Sequence, residues 1–200
     1  DYLFTMKVIN LPMTDAGNYR DFTSNIKDIV PDPSNDRKFT VIFGHAYLLS
    51  LEAAVNIPLY PKYVYDHLNV LDDYDFKDIT DENKEQLQKD VKLVQFAETF
   101  NSAAFSREIV SGAGPYKLVS WTADQNIVLE KKADYWADDI DIAELQQGPD
   151  KMIFHIIPDE VTAIAQLRNG GLDVINELSA KAYSELENDP VLKEKFDFFH

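Results

Sequence analysis

The chain has 200 residues, 45% of them hydrophobic and 12% aromatic, and its 35 acidic against 19 basic side chains give a formal net charge of −16. That apolar content supports one ordinary domain or two small ones with a real core, whereas the acidic balance disfavours nucleic-acid phosphates and anionic lipid headgroups as partners. The chain has no cysteine, which removes disulfides, thiolate metal sites and a cysteine nucleophile, and no stretch approaches the ~20 apolar residues of a membrane span.

Tyr2, Leu3, Met6 and Ile9 share one helical face, and Asp1 suits the N-terminus of that helix. Ser24 to Ile29 and Lys38 to Phe43 read as two strands flanking a Pro31 to Asp36 turn, with Phe39, Val41 and Phe43 alternating along the second. Leu48 to Val55 predicts a short helix, which Pro58 and Pro61 keep from continuing through Tyr60, Tyr63 and Tyr65. After acidic clusters between Leu71 and Asn83, the spacing of Leu87, Val91 and Val94 predicts one helix over Lys84 to Phe100.

Ser111-Gly112-Ala113-Gly114-Pro115 reads as a turn, Tyr116 to Trp121 as a strand, and Ile127 to Lys131 as its antiparallel partner across Thr122 to Gln125. Met152 to Ile157 is a third apolar strand ended by Pro158. Asp159 then caps a helix whose Val161, Ile164 and Leu167 share a side, and Asn169-Gly170-Gly171 stops it. Val174 and Ile175 read as a short strand, and Ser179 caps a final helix presenting Ala180, Tyr183 and Leu186. A hairpin followed by strand, helix, strand and helix predicts a mixed α/β (α+β) domain joined to the preceding region near Ala104 to Ser111.

Few residues assemble into catalytic chemistry. Ser111 stands beside glycines but lacks the pattern of a Gly-x-Ser-x-Gly elbow, and His45, His67, His155 and His200 are scattered. The glycine turn leads into a strand and has no following Lys-Ser or Lys-Thr, so it is no phosphate cradle. Asp138, Asp139 and Asp141, like Asp72, Asp73 and Asp75, lack the glycine and terminal glutamate of a calcium loop and read as solvated acidic surface. Tyr135 and Trp136 are expected in a core, and Tyr60, Tyr63 and Tyr65 in a packed turn.

The segments SGAGPYKLVSW, NIVLEKKADYW, GPDKMIFHIIPDE and VTAIAQLRNGGLDV occur in an order and spacing that resemble the middle of the bacterial extracellular solute-binding proteins of family 5. Gly170 and Asp173 fall on that family's Gly-x-x-Asp turn. The earlier segments DYLFTMKVI and IPLYPKYVYD are similar to its helix and its Pro-Lys-His stretch, with Tyr63 replacing the histidine.

The resemblance implies a periplasmic-binding-protein type II-like clamshell that closes on a peptide and delivers it to the permease subunits of an ABC importer. It implies that residues 1–105 are part of a small α+β extra domain and residues 106–200 the central part of the first α/β lobe. The second lobe and both natural termini are expected to lie outside this internal fragment. It further implies a periplasmic or extracellular location, with any lipid anchor before Asp1, no cofactor and no resident metal. Other family members bind sugars, nickel or haem, so the resemblance leaves the solute class open.

The segment after the Gly-x-x-Asp turn maps Asn176, Glu177 and Leu178 onto the cleft wall. Asn176 offers a donor and an acceptor to a peptide backbone, and Glu177 accepts from an amine or amide. The alternative is that Asn176 and Glu177 cap the following helix. A hydrolase, needing a histidine beside a serine or carboxylate in a cleft, and an interaction domain with a broad apolar patch are the rival functions.

Overall fold

The computed structural model describes residues 1–199. Its elements run α1 (Tyr2–Asn10), α2 (Gly17–Thr23), β1 (Ile26–Asp32), β2 (Asn35–Phe43), α3 (Ser50–Val55), α4 (Lys62–Tyr65), α5 (Lys84–Leu87) and α6 (Val91–Phe100). A π-helical turn (Ala104–Glu108) precedes β3 (Tyr116–Thr122), β4 (Asn126–Lys131), β5 (Lys151–His155), α7 (Glu160–Arg168), α8 (Ala180–Glu187) and α9 (Pro190–Lys193). Strands β1 and β2 form one sheet, and β3-β4-β5 another. The chain divides into two compact units, residues 1–121 with 129–151, and residues 122–128 with those from Met152 onward.

The first unit is organised around α1. Phe4, Val8 and Leu11 pack with Leu71, Leu93 and Phe96, while Met6 and Ile9 pack with Ile26, Ile29 and Phe76. The helix is therefore buried on two sides, where its sequence spacing predicted one face. Its two interior polar side chains are satisfied. Thr5 Oγ1 accepts from the Tyr60 amide at 2.9 Å, and Lys7 Nζ donates to the Leu71 carbonyl at 2.8 Å. The guanidinium of Arg20 closes the C-terminal end, donating to the carbonyls of Ile9 at 3.0 Å and Leu11 at 2.9 Å, which have no acceptor duty left inside the helix.

The predicted hairpin forms with a shorter turn than expected. Pro31 pairs with Phe39, and Asp32 pairs with Asn35. Proline removes only its own amide donor, so the strand passes through it at a shift in register instead of ending.

The long helix expected over residues 84–100 is two helices. The Asp90 carboxylate accepts from the Lys92 amide at 2.9 Å and from the Tyr74 hydroxyl at 2.6 Å, which makes Asp90 the N-cap of α6 and ends α5 before it. The buried face of α6 is consequently Leu93, Phe96 and Ala97, with Val91 67% exposed. Tyr60 and Tyr65 of the proline-rich stretch pack against Phe100 with ring centroids 5.2 and 5.7 Å away, as a packed turn requires, but Tyr63 is exposed.

At the glycine turn, Tyr135 is buried as expected, but Trp136 is 63% exposed. Its indole Nε1 donates to the Ala113 carbonyl at 2.8 Å, so it covers the turn backbone and does not enter a core. Asp124, at φ 59°, closes the connection between β3 and β4 in the left-handed region that aspartate tolerates.

Candidate functional site

In the second unit, the expected capping holds. The Asp159 carboxylate accepts from the Thr162 amide at 2.7 Å and starts α7. Gly170, at φ 75°, reverses the chain just after Asn169, a conformation glycine adopts without the Cβ penalty. Leu167 is buried and Ile164 half-buried on the inner side of α7, but Val161 is exposed.

Val174 and Ile175 do not form a strand. Two apolar residues carry no ladder unless a neighbouring strand supplies partners, and residues 172–178 instead run as an irregular segment from the glycine reversal to α8.

That segment is fastened at its far end. The Ser179 amide and hydroxyl donate to the Glu160 carboxylate at 2.6 and 3.0 Å. Ser179 Oγ also accepts from the Ala182 amide at 3.3 Å as the N-cap of α8. Near the C-terminal end of α7, Arg168 Nη1 meets Asp189 Oδ2 at 2.6 Å. The Asp189 carboxylate also accepts from the Val191 amide at the start of α9, and these bonds, the Arg168 one foremost, hold its carboxyl below the usual aspartate range. Glu160 and Ser179 on one side and Arg168 and Asp189 on the other thus tie α7 to the chain that follows the segment.

The same unit holds a cavity of ≈ 530 Å³, lined in part by residues of that segment. Leu167 and Leu186, both buried, contribute apolar surface. Tyr183 and Phe198 meet edge to face at 5.8 Å, and burial raises the Tyr183 phenol above the ordinary tyrosine range. Asn176 and Leu178 line the cavity, whereas Glu177 is exposed and outside the lining. Because Ser179 is the cap of α8, Asn176 and Glu177 do not have that task. The Asn176 amide is engaged by no protein group among the described residues, so both its donor and its acceptor capacity are available to a ligand.

Phe196 and Phe198 also line the cavity, and sequence reasoning missed them because they sit in a short stretch outside any periodic pattern. It identified Ser179 as a cap but not its tie to Glu160, which lies 19 residues away.

Two other cavities differ in chemistry. One of ≈ 730 Å³ is lined mainly by charged and amide groups, among them Lys131, Asp150 and Gln147. The other, ≈ 690 Å³, is almost wholly apolar, between β2 residues such as Phe39 and Val41 and the α3 residues Leu51 and Val55. Among the described residues, no histidine side chain is hydrogen-bonded to a serine or a carboxylate, and no group of three or more His, Asp or Glu side chains is arranged to hold a metal. His200 lies outside the described residues. Among the described residues, no helix is long and apolar enough to cross a membrane.

The family model for the middle region of the bacterial extracellular solute-binding proteins, family 5, matches residues 1–198. Among solved structures, the fold is similar to that of a protein named as a peptide binding protein, AppA from Clostridium difficile, with a TM-score of 0.56 and 19% sequence identity. The likeness covers 95% of this chain and 32% of that one, so the chain spans about a third of the length of that relative.

Proposed function

The chain belongs to the bacterial extracellular solute-binding proteins of family 5, whose fold is of the type II periplasmic-binding-protein kind, and from that premise we propose that it is part of the capture subunit of an ABC importer. The subunit binds peptides or a similar small solute outside the cytoplasmic membrane, without catalysis, and hands them to permease subunits. Residues 1–105 belong to the small α+β domain of that subunit and residues 106–200 to its first lobe.

The observation that carries this reading is the family match over residues 1–198. A cavity in the second unit, with an unengaged amide at Asn176 beside apolar side chains, supports a solute site there. A few convergent polar groups on an apolar lining, in a cavity of several hundred Å³, are the composition of small-molecule sites. Asn176 and Leu178 contact the solute and Glu177 meets its polar end from the exposed edge.

Titration calorimetry of the full-length protein with a pool of short peptides tests the proposal. Micromolar or tighter binding that weakens in an Asn176→Ala, Glu177→Ala double variant supports both the function and the site. Binding that the double variant leaves unchanged rejects the site, and no binding by folded protein rejects peptide as the solute.

A further inference from the structure

We propose that Asn169–Gly170, at the end of α7, is a site of spontaneous deamidation whose products release the segment that carries Asn176 and Leu178. The Gly170 backbone nitrogen attacks Cγ of the Asn169 side-chain amide. A Cγ–N bond forms and closes a succinimide ring, the Cγ–Nδ2 bond breaks, and ammonia leaves with the proton given up by the Gly170 nitrogen. Water then opens the ring. Opening at the side-chain carbonyl gives aspartate, and opening at the backbone carbonyl gives isoaspartate, in which the chain runs through the side-chain carbon. Nothing is oxidised or reduced, and water is the sole co-reactant.

Sequence and structure both single out this asparagine. The chain has twelve asparagines, and Asn169 is the one followed by glycine. Any other residue places a Cβ beside the attacking nitrogen and crowds the closing ring, a hindrance that glycine lacks. A Cβ built on Gly170 would meet nothing within 4 Å, so the ring closes into open space. Asn169 is exposed, and its side-chain amide is engaged by no protein group among the described residues. By contrast, the amides of Asn10, Asn25, Asn101 and Asn188 donate to the carbonyls of Met6, His45, Met13 and Ser184 at 2.8–2.9 Å, which holds them away from backbone attack.

The fold slows this reaction without preventing it. Asn169 has ψ 2°, which sets the Gly170 nitrogen nearly eclipsed with the Asn169 nitrogen and turned away from Cβ, so ring closure needs rotation about that bond. The rotation breaks the bonds from the Gly170 amide to the Leu167 carbonyl, 3.1 Å, and from the Gly171 amide to the Gln166 carbonyl, 2.8 Å. Both belong to a helix end, where opening is least costly. Two such bonds hold closure back by about five- to a hundredfold relative to an unconstrained chain.

Either product puts a carboxylate just past the C-terminus of α7, at the negative end of the helix dipole. The new charge follows Arg168, whose guanidinium meets Asp189 at 2.6 Å, and competes for it. Isoaspartate also adds a backbone carbon immediately before Gly170, so the reversal at φ 75° no longer delivers residues 172–178 in place. On the function proposed above, in which the cavity lined by Asn176 takes the solute, this ageing lowers affinity.

The test ages full-length wild type and Asn169→Gln, whose longer side chain closes a ring far more slowly, side by side at neutral and mildly alkaline pH. Peptide mapping by mass spectrometry reads conversion at every asparagine. Asn169 should convert first, to both aspartate and isoaspartate, and faster at the higher pH because the attacking nitrogen must lose its proton. Hydrogen exchange of residues 172–179 should accelerate in aged wild type and stay unchanged in aged Asn169→Gln. Conversion at Asn169 no faster than at the other asparagines overturns the site. Conversion that leaves exchange of residues 172–179 as it was overturns the release of the segment. Both readouts are taken without solute, so they judge this proposal whatever becomes of peptide capture. Affinity for the pool of short peptides, measured on the same samples, should fall as conversion proceeds, and affinity indifferent to full conversion overturns the link to the cavity.

Discussion

Replacing Glu160 with alanine unfastens the segment that carries Asn176 and Leu178. The wild-type carboxylate receives two hydrogen bonds from Ser179, at 2.6 and 3.0 Å, and both residues are exposed, so water competes for the same groups. Each bond is then worth about 0.5–1 kcal/mol and the pair about 1–2 kcal/mol. A loss of that size lowers the held population of residues 172–179, relative to its open states, by about five- to thirtyfold. Because a solute binds only the held form, its apparent affinity falls by no more than that factor. Hydrogen exchange followed by mass spectrometry reads the opening, and calorimetry with the best-binding peptide reads the affinity. Exchange of residues 172–179 should accelerate in Glu160→Ala while α7 keeps its Asp159 cap, and Glu160→Gln, which retains an acceptor, should fall between. Unchanged exchange there refutes the clamp. An affinity loss beyond about a hundredfold refutes the positioning role, because it means that Glu160 touches the ligand itself.

Leu93 has no exposed surface and packs with Phe4 and Val8, so Leu93→Ala should cost about 2–5 kcal/mol in urea unfolding; a cost below about 1 kcal/mol means that the α1 core does not govern stability. Nothing lies within 4 Å of a Cβ built on Gly170, so Gly170→Ala should cost only the left-handed backbone, about 1–2 kcal/mol, and a neutral result shows that the reversal is not held in that conformation. The Tyr74 hydroxyl, donating to Asp90, gives a pH signature. The Asp90 carboxyl is held below its usual range chiefly by this bond, so its contribution is complete above about pH 4 and disappears as the pH drops through its folded value. Burial first, and Asp90 second, push the Tyr74 phenol up to about 12; that contribution is complete below about pH 10 and disappears as the pH rises towards 12. Melting temperatures of wild type and Tyr74→Phe should therefore differ most at neutral pH and converge at both extremes, and a constant gap contradicts the pairing.

Features decided within a few residues were legible in the sequence. The α1 helix, the β1–β2 hairpin, the Asp159 and Ser179 caps and the Gly170 reversal each depend on local backbone chemistry, and each lies where the pattern placed it. Features decided by distant partners were not legible. The break at Asp90 depends on a hydroxyl 16 residues away as well as on its local cap, and the apolar spacing across it still read as one helix. Val174 and Ile175 have strand-forming side chains, but pairing was needed to realise them. Pro31 looked like a strand terminator, yet the partner strand tolerates it at a register shift. Trp136 looked like core until the Ala113 carbonyl supplied its indole with a surface partner. For the site, the Gly-x-x-Asp resemblance led to Asn176 and Leu178, both on the cavity wall, and to Glu177, which lies outside it. Phe196 and Phe198 reach that wall, and Glu160 reaches Ser179, only through the fold.

The most direct test of the account is photocrosslinking of the full-length protein with a tripeptide containing benzoylphenylalanine, followed by mapping of the adducts. Solute capture in the second unit predicts adducts within residues 173–178 and 195–199, suppressed by an excess of the parent peptide. Adducts confined to the apolar groove lined by residues between 39 and 59, with none in those two segments, would contradict it.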